Sequence, residues 1–207
     1  MYNISYFKAN DPADVLAFMK AHPFVVLCGV AENGMPVATH LPVMIVERND
    51  RLFLQAHAMR NQKHTIAFEN NPNVLVIFQG AHSYISAQLY NPKNVASTWN
   101  YSAVHANGLL RLLSDTDLYH ILQKLTNHFE GSNNSPASFE NLEENYIREN
   151  MKAIVGFEIE ITHLQHVFKL SQNKSADTKD SIIHHLANGS ANAQEVASEM
   201  KKSFKND

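Results

Sequence analysis

Residues 24–59 read FVVLCGVAENGMPVATHLPVMIVERNDRLFLQAHAM, and this stretch decides the fold class. FVVLCGVA is a continuous apolar run of strand length. Glu32-Asn33-Gly34 marks a hairpin turn, because Asn and Gly tolerate the positive φ such a turn needs. MPVATHLPVMIVE is the expected return strand, Asn49-Asp50 a second turn, and RLFLQAHA a third strand. Strands joined by tight turns pair antiparallel.

Upstream, Asp11 followed by Pro12 has the pattern of an N-cap with proline at the first helical position. Val15, Leu16, Phe18 and Met19 then give residues 13–21 helical spacing, and Pro23 ends the helix. Downstream, residues 61–70 are helical, Asn71-Pro72-Asn73 breaks the pattern, and VLVIFQG is a fourth strand. SYISA is a further strand and Pro92 lies in a polar loop. VHANGLLRLL is expected as a strand interrupted at Asn107-Gly108. A helix spans residues 115–129, capped by Ser114, with Leu118, Ile121, Leu122, Leu125 and Phe129 along one face. Residues 131–135 form a loop and residues 141–150 a polar helix. From residue 153 to 168, Val155, Phe157, Ile159 and Ile161 alternate with Gly156, Glu158 and Glu160, the pattern of a half-buried strand. Two short helices, 176–187 and 193–204, close the chain around Asn188-Gly189.

Six to seven mostly hairpin-linked strands with interspersed helices place the chain in the α+β class, as an antiparallel barrel with helices outside. The polar run SQNKSAD at 171–177 is the one candidate boundary. It divides residues 1–170, the barrel, from residues 171–207, a helical extension packed on the barrel or on a partner subunit.

The 207 residues are 44% hydrophobic and 18% charged, an ordinary globular composition, with a net charge of −3. That balance argues against a surface devoted to nucleic acid. No basic segment leads into an apolar one at the N-terminus, and no apolar run reaches the ~20 residues that span a bilayer. The expected compartment is the cytoplasm. Cys28 has no cysteine to pair with and reads as a small buried hydrophobe.

Arg60 and Lys63 follow a strand and open a helix. Two cations beside free backbone N–H groups suit a phosphate, although an ordinary solvated helix start has the same composition. The twelve histidines do not adopt ligand spacing: His163 and His166 flank a strand end, His184 and His185 are adjacent, and HExxH is absent. No residue is assigned to a metal. A haem ligand among His40, His57, His82 and His105 stays open. No GxSxG, GxGxxG or P-loop occurs. The C-terminal helix, Asn-Gly turn and helix resemble the start of a winged-helix domain, but a third, recognition helix does not follow.

The segment from His82 to His105, HSYISAQLYNPKNVASTWNYSAVH, interleaves aromatic rings with amides and hydroxyls. Such a surface suits a flat heteroaromatic ligand, stacked on its face and bonded at its edge, and it suits a subunit interface equally.

Taken together, PVATHLPVMI, QAHAMRNQ, HSYISAQLY, STWNYSAVHANG and IVGFEIEITHLQHVFKLSQNKS resemble the PaiB family of FMN-binding negative transcriptional regulators. The resemblance covers nearly the whole chain. It implies an FMN-binding split barrel, a homodimer with FMN between the two barrels, and a regulatory role. It implies that Arg60 and Lys63, after the strand carrying His57, hold the FMN phosphate. Thr39 and His40 would line the same groove, and Tyr84, Ser86, Trp99, Asn100 and Tyr101 would sit near the flavin ring or the dimer seam. The chain departs from the family pattern at three places: Ala87 and Ser97 stand where prolines are usual, and Leu89 stands where an aromatic is usual. Two functional classes follow, a regulator acting on DNA directly or through a partner and a flavin-dependent oxidoreductase. In the second, His105 is a candidate proton donor, and no residue is assigned as catalytic.

Overall fold

The computed structural model of this protein describes residues 1–9, 11–90, 95–132 and 134–204. The expected loop at Pro92 lies outside the described residues. The described residues form seven strands and six α-helices, in the order α1 (Pro12–Ala21), β1 (Phe24–Val30), β2 (Pro36–Pro42), β3 (Met44–Arg48), β4 (Arg51–Met59), α2 (Lys63–Asn70), β5 (Asn73–Ile85), β6 (Thr98–Leu112), α3 (Asp115–Phe129), α4 (Glu144–Met151), β7 (Ile154–Lys169), α5 (Ala176–Ala187) and α6 (Ala191–Ser203). The strands form one antiparallel sheet in the order β2-β1-β5-β6-β7-β4-β3. This is the α+β split-barrel class.

Local chemistry accounts for most boundaries. Asp11 Oδ1 accepts from the Ala13 N–H at 2.8 Å and caps α1. Ser114 caps α3 in the same way through the Asp117 N–H. Asn49 and Asp50 both have positive φ, 53° and 57°, and join Arg48 to its partner Arg51 in a two-residue turn.

The structure corrects three expectations. The single return strand across residues 35–47 is two strands, and they occupy opposite edges of the sheet. Pro42 has no N–H to continue a ladder, and the next N–H, Val43, turns back to the Pro23 carbonyl at 2.9 Å. The Asn107-Gly108 step does not interrupt β6. A Cβ at Gly108 would stand 2.5 Å from the Glu160 carbonyl oxygen, so glycine there permits close approach to β7. Finally, β7 is covered on both faces over residues 155–159 rather than on one. Gly156 lies beneath Leu118 of α3, and Glu158 is 1% exposed.

The burial of Glu158 is supported by donors. Gln55 Nε2 donates to it at 2.7 Å, Arg111 at 2.7 Å and Arg48 at 3.1 Å. Burial alone would raise its pKa, but these donors together hold the carboxyl below the usual range.

The chain forms two compact units. One comprises residues 23–78 and 105–164. In it, Leu118, Phe139, Ile147 and Met151 make a small cluster under α3 and α4. The other comprises residues 1–22, 79–104 and 165–207. Its core joins Ala81, Ile85 and Tyr90 to Leu170 and to the apolar faces of α5 and α6, through Ile182, Leu186, Val196 and Met200. No helix among the described residues is long and apolar enough to cross a membrane.

Candidate functional site

The expected site residues fall into two groups, one in each unit. In the unit of residues 23–78 and 105–164 stand Thr39, His40, His57, Arg60 and Lys63. Strand β4 carries His57 and ends at Met59. Arg60 follows, and Lys63 is the first residue of α2. No side chain caps α2 at Gln62, so its first N–H groups stay available to an anion. Arg60 is anchored: its guanidinium donates to the Ile154 carbonyl at 2.8 Å and to Asp115 Oδ1 at 3.4 Å. Its remaining donors and the exposed Lys63 ammonium give the strand end a positive face.

His57 is set differently. Its Nδ1 is buried and has no hydrogen-bond partner among the described residues. Burial pushes its pKa down, so the ring is neutral near pH 7. An orphaned buried ring nitrogen is uncommon, and this one has its hydrogen-bonding capacity free for a ligand or a water. Thr39 and His40 are neighbours on β2 and therefore point to opposite faces. Thr39 is half-buried, while His40 is exposed and stacks with Phe24 at 6.3 Å.

The second group lies in the other unit. Tyr84 and Trp99 are each 52% exposed, with their rings 5.8 Å apart edge to face. His82 also lies beside Trp99, ring centroids 6.1 Å apart. Tyr101, two residues along β6, shares the Trp99 face, and burial raises its phenol pKa with help from Tyr2. These rings form an open aromatic face.

Asn100 is not on that face. It is fully buried, donates to Ser171 Oγ at 3.0 Å and Met200 Sδ at 3.6 Å, and accepts from the Ser171 hydroxyl at 3.1 Å. Its amide holds the C-terminal segment in place. Ser86 accepts from the Gln88 N–H and caps the short turn Ala87–Leu89. Leu89 packs against the core of its unit. His105 is half-buried with its pKa lowered by burial, and Cys28 is half-buried rather than enclosed.

The cations Arg60 and Lys63 and the histidine His57 were legible as residue types at the end of a strand. The orphaned Nδ1 was not, because hydrogen-bond satisfaction depends on the neighbouring strand. Within the unit of residues 23–78 and 105–164, the donor set suits a phosphate-bearing ligand: cations and N–H groups for the phosphate and a ring nitrogen for a polar edge.

A family model described as "Putative FMN-binding domain" matches residues 1–163. Over 206 residues the chain is 32% identical to the Bacillus subtilis "Protease synthase and sporulation protein PAI 2", covering 99% of each. Among solved structures, the FAD and heme binding protein from Mycobacterium smegmatis aligns with a TM-score of 0.61 at 16% identity, over 88% of this chain and 80% of that one. A conserved hypothetical protein from Mycobacterium tuberculosis aligns with a TM-score of 0.59 at 11% identity, over 84% and 92%. At such identities these structures speak for the fold alone.

Proposed function

Because the chain belongs to the PaiB-type FMN-binding domain family, we propose that it is a flavin-holding regulator, a homodimer that acts negatively on gene expression in the cytoplasm. FMN is its cofactor. The observation that carries the reading is the buried, unpartnered Nδ1 of His57, three residues before Arg60 and six before Lys63.

In this reading Arg60, Lys63 and the start of α2 hold the phosphate, and His57 donates to or accepts from the polar part of the ligand. The aromatic face of Tyr84, Trp99 and Tyr101 stacks on a ring system, on the second copy, or on both. Bound FMN supplies one- and two-electron chemistry, and the chain supplies binding and orientation. Residues 171–207 serve as an accessory helical segment to the barrel of residues 1–170. Its second helix, α6, buries Val196, Ala197 and Met200 and so cannot lay that face in a DNA groove. Regulation in this reading acts on DNA directly or through a protein partner, and the salt dependence of promoter binding separates the two.

The test is a visible absorption spectrum of freshly purified protein, repeated after FMN loading and desalting. A retained flavin spectrum that Lys63→Ala abolishes supports the site. No flavin after loading would sink it. Salt-steep binding of a promoter fragment would select direct DNA contact over the partner-mediated route. Bleaching by reduced nicotinamide would favour the oxidoreductase class instead.

A further inference from the structure

His22, Glu195 and Glu199 converge in the unit built from residues 1–22, 79–104 and 165–207. Each presents one ligand atom, and the three atoms lie within 4.8 Å of one another. His22 closes α1, whereas Glu195 and Glu199 stand one turn apart on α6, so both carboxylates project from the same helical face. We propose that these three side chains bind a divalent first-row transition ion, which clamps α6 to the end of α1.

The donor set defines the class of ion. One imidazole nitrogen and two carboxylate oxygens suit Zn²⁺, Mn²⁺, Fe²⁺ or Co²⁺. The absence of sulfur from the set disfavours Cu⁺, and the imidazole disfavours Ca²⁺ and Mg²⁺, which prefer oxygen throughout. Two carboxylates also balance the charge of a divalent cation. Without one they face each other as a like-charge pair. Bond lengths of about 2.0–2.2 Å require the donors to draw together by roughly an ångström. The exposed Glu195, on a flexible stem, is able to make that movement.

Two of the three donors are already oriented from behind, as ligands in built sites are. The Ser102 hydroxyl donates to Glu199 Oε2 at 2.6 Å and leaves the other oxygen for an ion. The His22 ring packs on Phe18, centroids 4.4 Å apart, and both rings rest directly on β5 at Gly80. A Cβ at that position would stand 2.8 Å from the Phe18 ring and 3.4 Å from His22 Nε2. Glycine at 80 thus provides the seat on which the imidazole is held. Three ligands leave at least one coordination position open to water or to an exogenous group.

The test uses the full chain, stripped with a chelator and titrated with Zn²⁺ by calorimetry, with Co²⁺ absorption as the reporter of coordination. The expected result is one tight Zn²⁺ per chain. His22→Gln, Glu195→Gln and Glu199→Gln should each weaken binding at least tenfold, and Ser102→Ala by about tenfold. His184→Gln and His185→Gln, on the exposed side of α5, should leave it unchanged. Glu195→Gln changes only an exposed side chain, so it keeps the test decisive if His22→Gln fails to fold. Absence of saturable one-to-one binding would overturn the proposal. So would tight binding that survives Glu195→Gln and Glu199→Gln, or binding lost only with His184 or His185.

Discussion

The Ala87 backbone N–H donates to the Ser97 hydroxyl at 2.9 Å. Both residues stand where the resemblance to the PaiB pattern implies proline, and the two positions are joined by one bond. A proline at 87 would have no N–H, and a proline at 97 no hydroxyl to receive it. Ser86, the preceding residue, is already extended at φ −67° and ψ 139°, a conformation compatible with a following proline. A double-mutant cycle should show the coupling. Ser97→Ala alone should cost about 0.5–1.5 kcal/mol, and the same change on an Ala87→Pro background should cost close to nothing. Urea denaturation midpoints measure both, and additive costs would show that the bond is not formed.

Asn100 and Trp99 are adjacent and should behave in opposite ways. Asn100→Ala leaves the buried Ser171 hydroxyl without its partner and should destabilise the fold by about 1–3 kcal/mol. Trp99→Ala removes a half-exposed ring and should leave the thermal midpoint nearly unchanged while reducing flavin retention or dimerisation. Thermal melts and gel filtration of the two variants distinguish fold from function.

Lys63 and Arg60 should also separate. Lys63→Ala should weaken FMN by about 10- to 100-fold with no loss of stability, as expected for one charged donor to a phosphate. Arg60→Ala should weaken FMN as well and in addition lower the melting temperature of the flavin-free protein, because its guanidinium also anchors the start of β7. Fluorescence titration of FMN and a melt of the apoprotein check the two effects.

Acid should destabilise the protein before its carboxylates titrate. The Ala9 N–H donates to His166 Nε2 at 2.9 Å, which requires that nitrogen to be unprotonated. Burial, reinforced by the Lys8 charge, lowers the His166 pKa. Burial lowers those of His57, His64 and His105 too. The unfolded chain takes up protons at the ordinary histidine value of about 6.5, where the folded chain still refuses them. Stability is therefore full above that value and declines as pH falls through it towards the lower folded values. Chemical denaturation at a series of pH values reads the slope, and His166→Gln should flatten part of it. A flat profile between about pH 7 and pH 5 would refute the assignment.

Much of this protein was determined locally. The helices at Pro12–Ala21 and Asp115–Phe129 follow from caps and apolar spacing, and the turn at Asn49-Asp50 follows from residues that accept positive φ. The cations Arg60 and Lys63 and the aromatic segment were visible because charge and ring content are properties of a short stretch. What only the tertiary structure decided were relations between distant strands and helices. Gly108 passes through β6 unbroken because β7 lies against it, and Glu158 is buried because Arg48, Gln55 and Arg111 reach it from other strands. Asn100 faces inward because Ser171 and Met200 meet it there, and His22 stands beside Glu195 and Glu199 because α6 folds back to the end of α1. A residue's own chemistry sets which partners it needs. Only the packed chain sets which partners it finds, because desolvation and hydrogen bonding act between groups that sequence order leaves far apart.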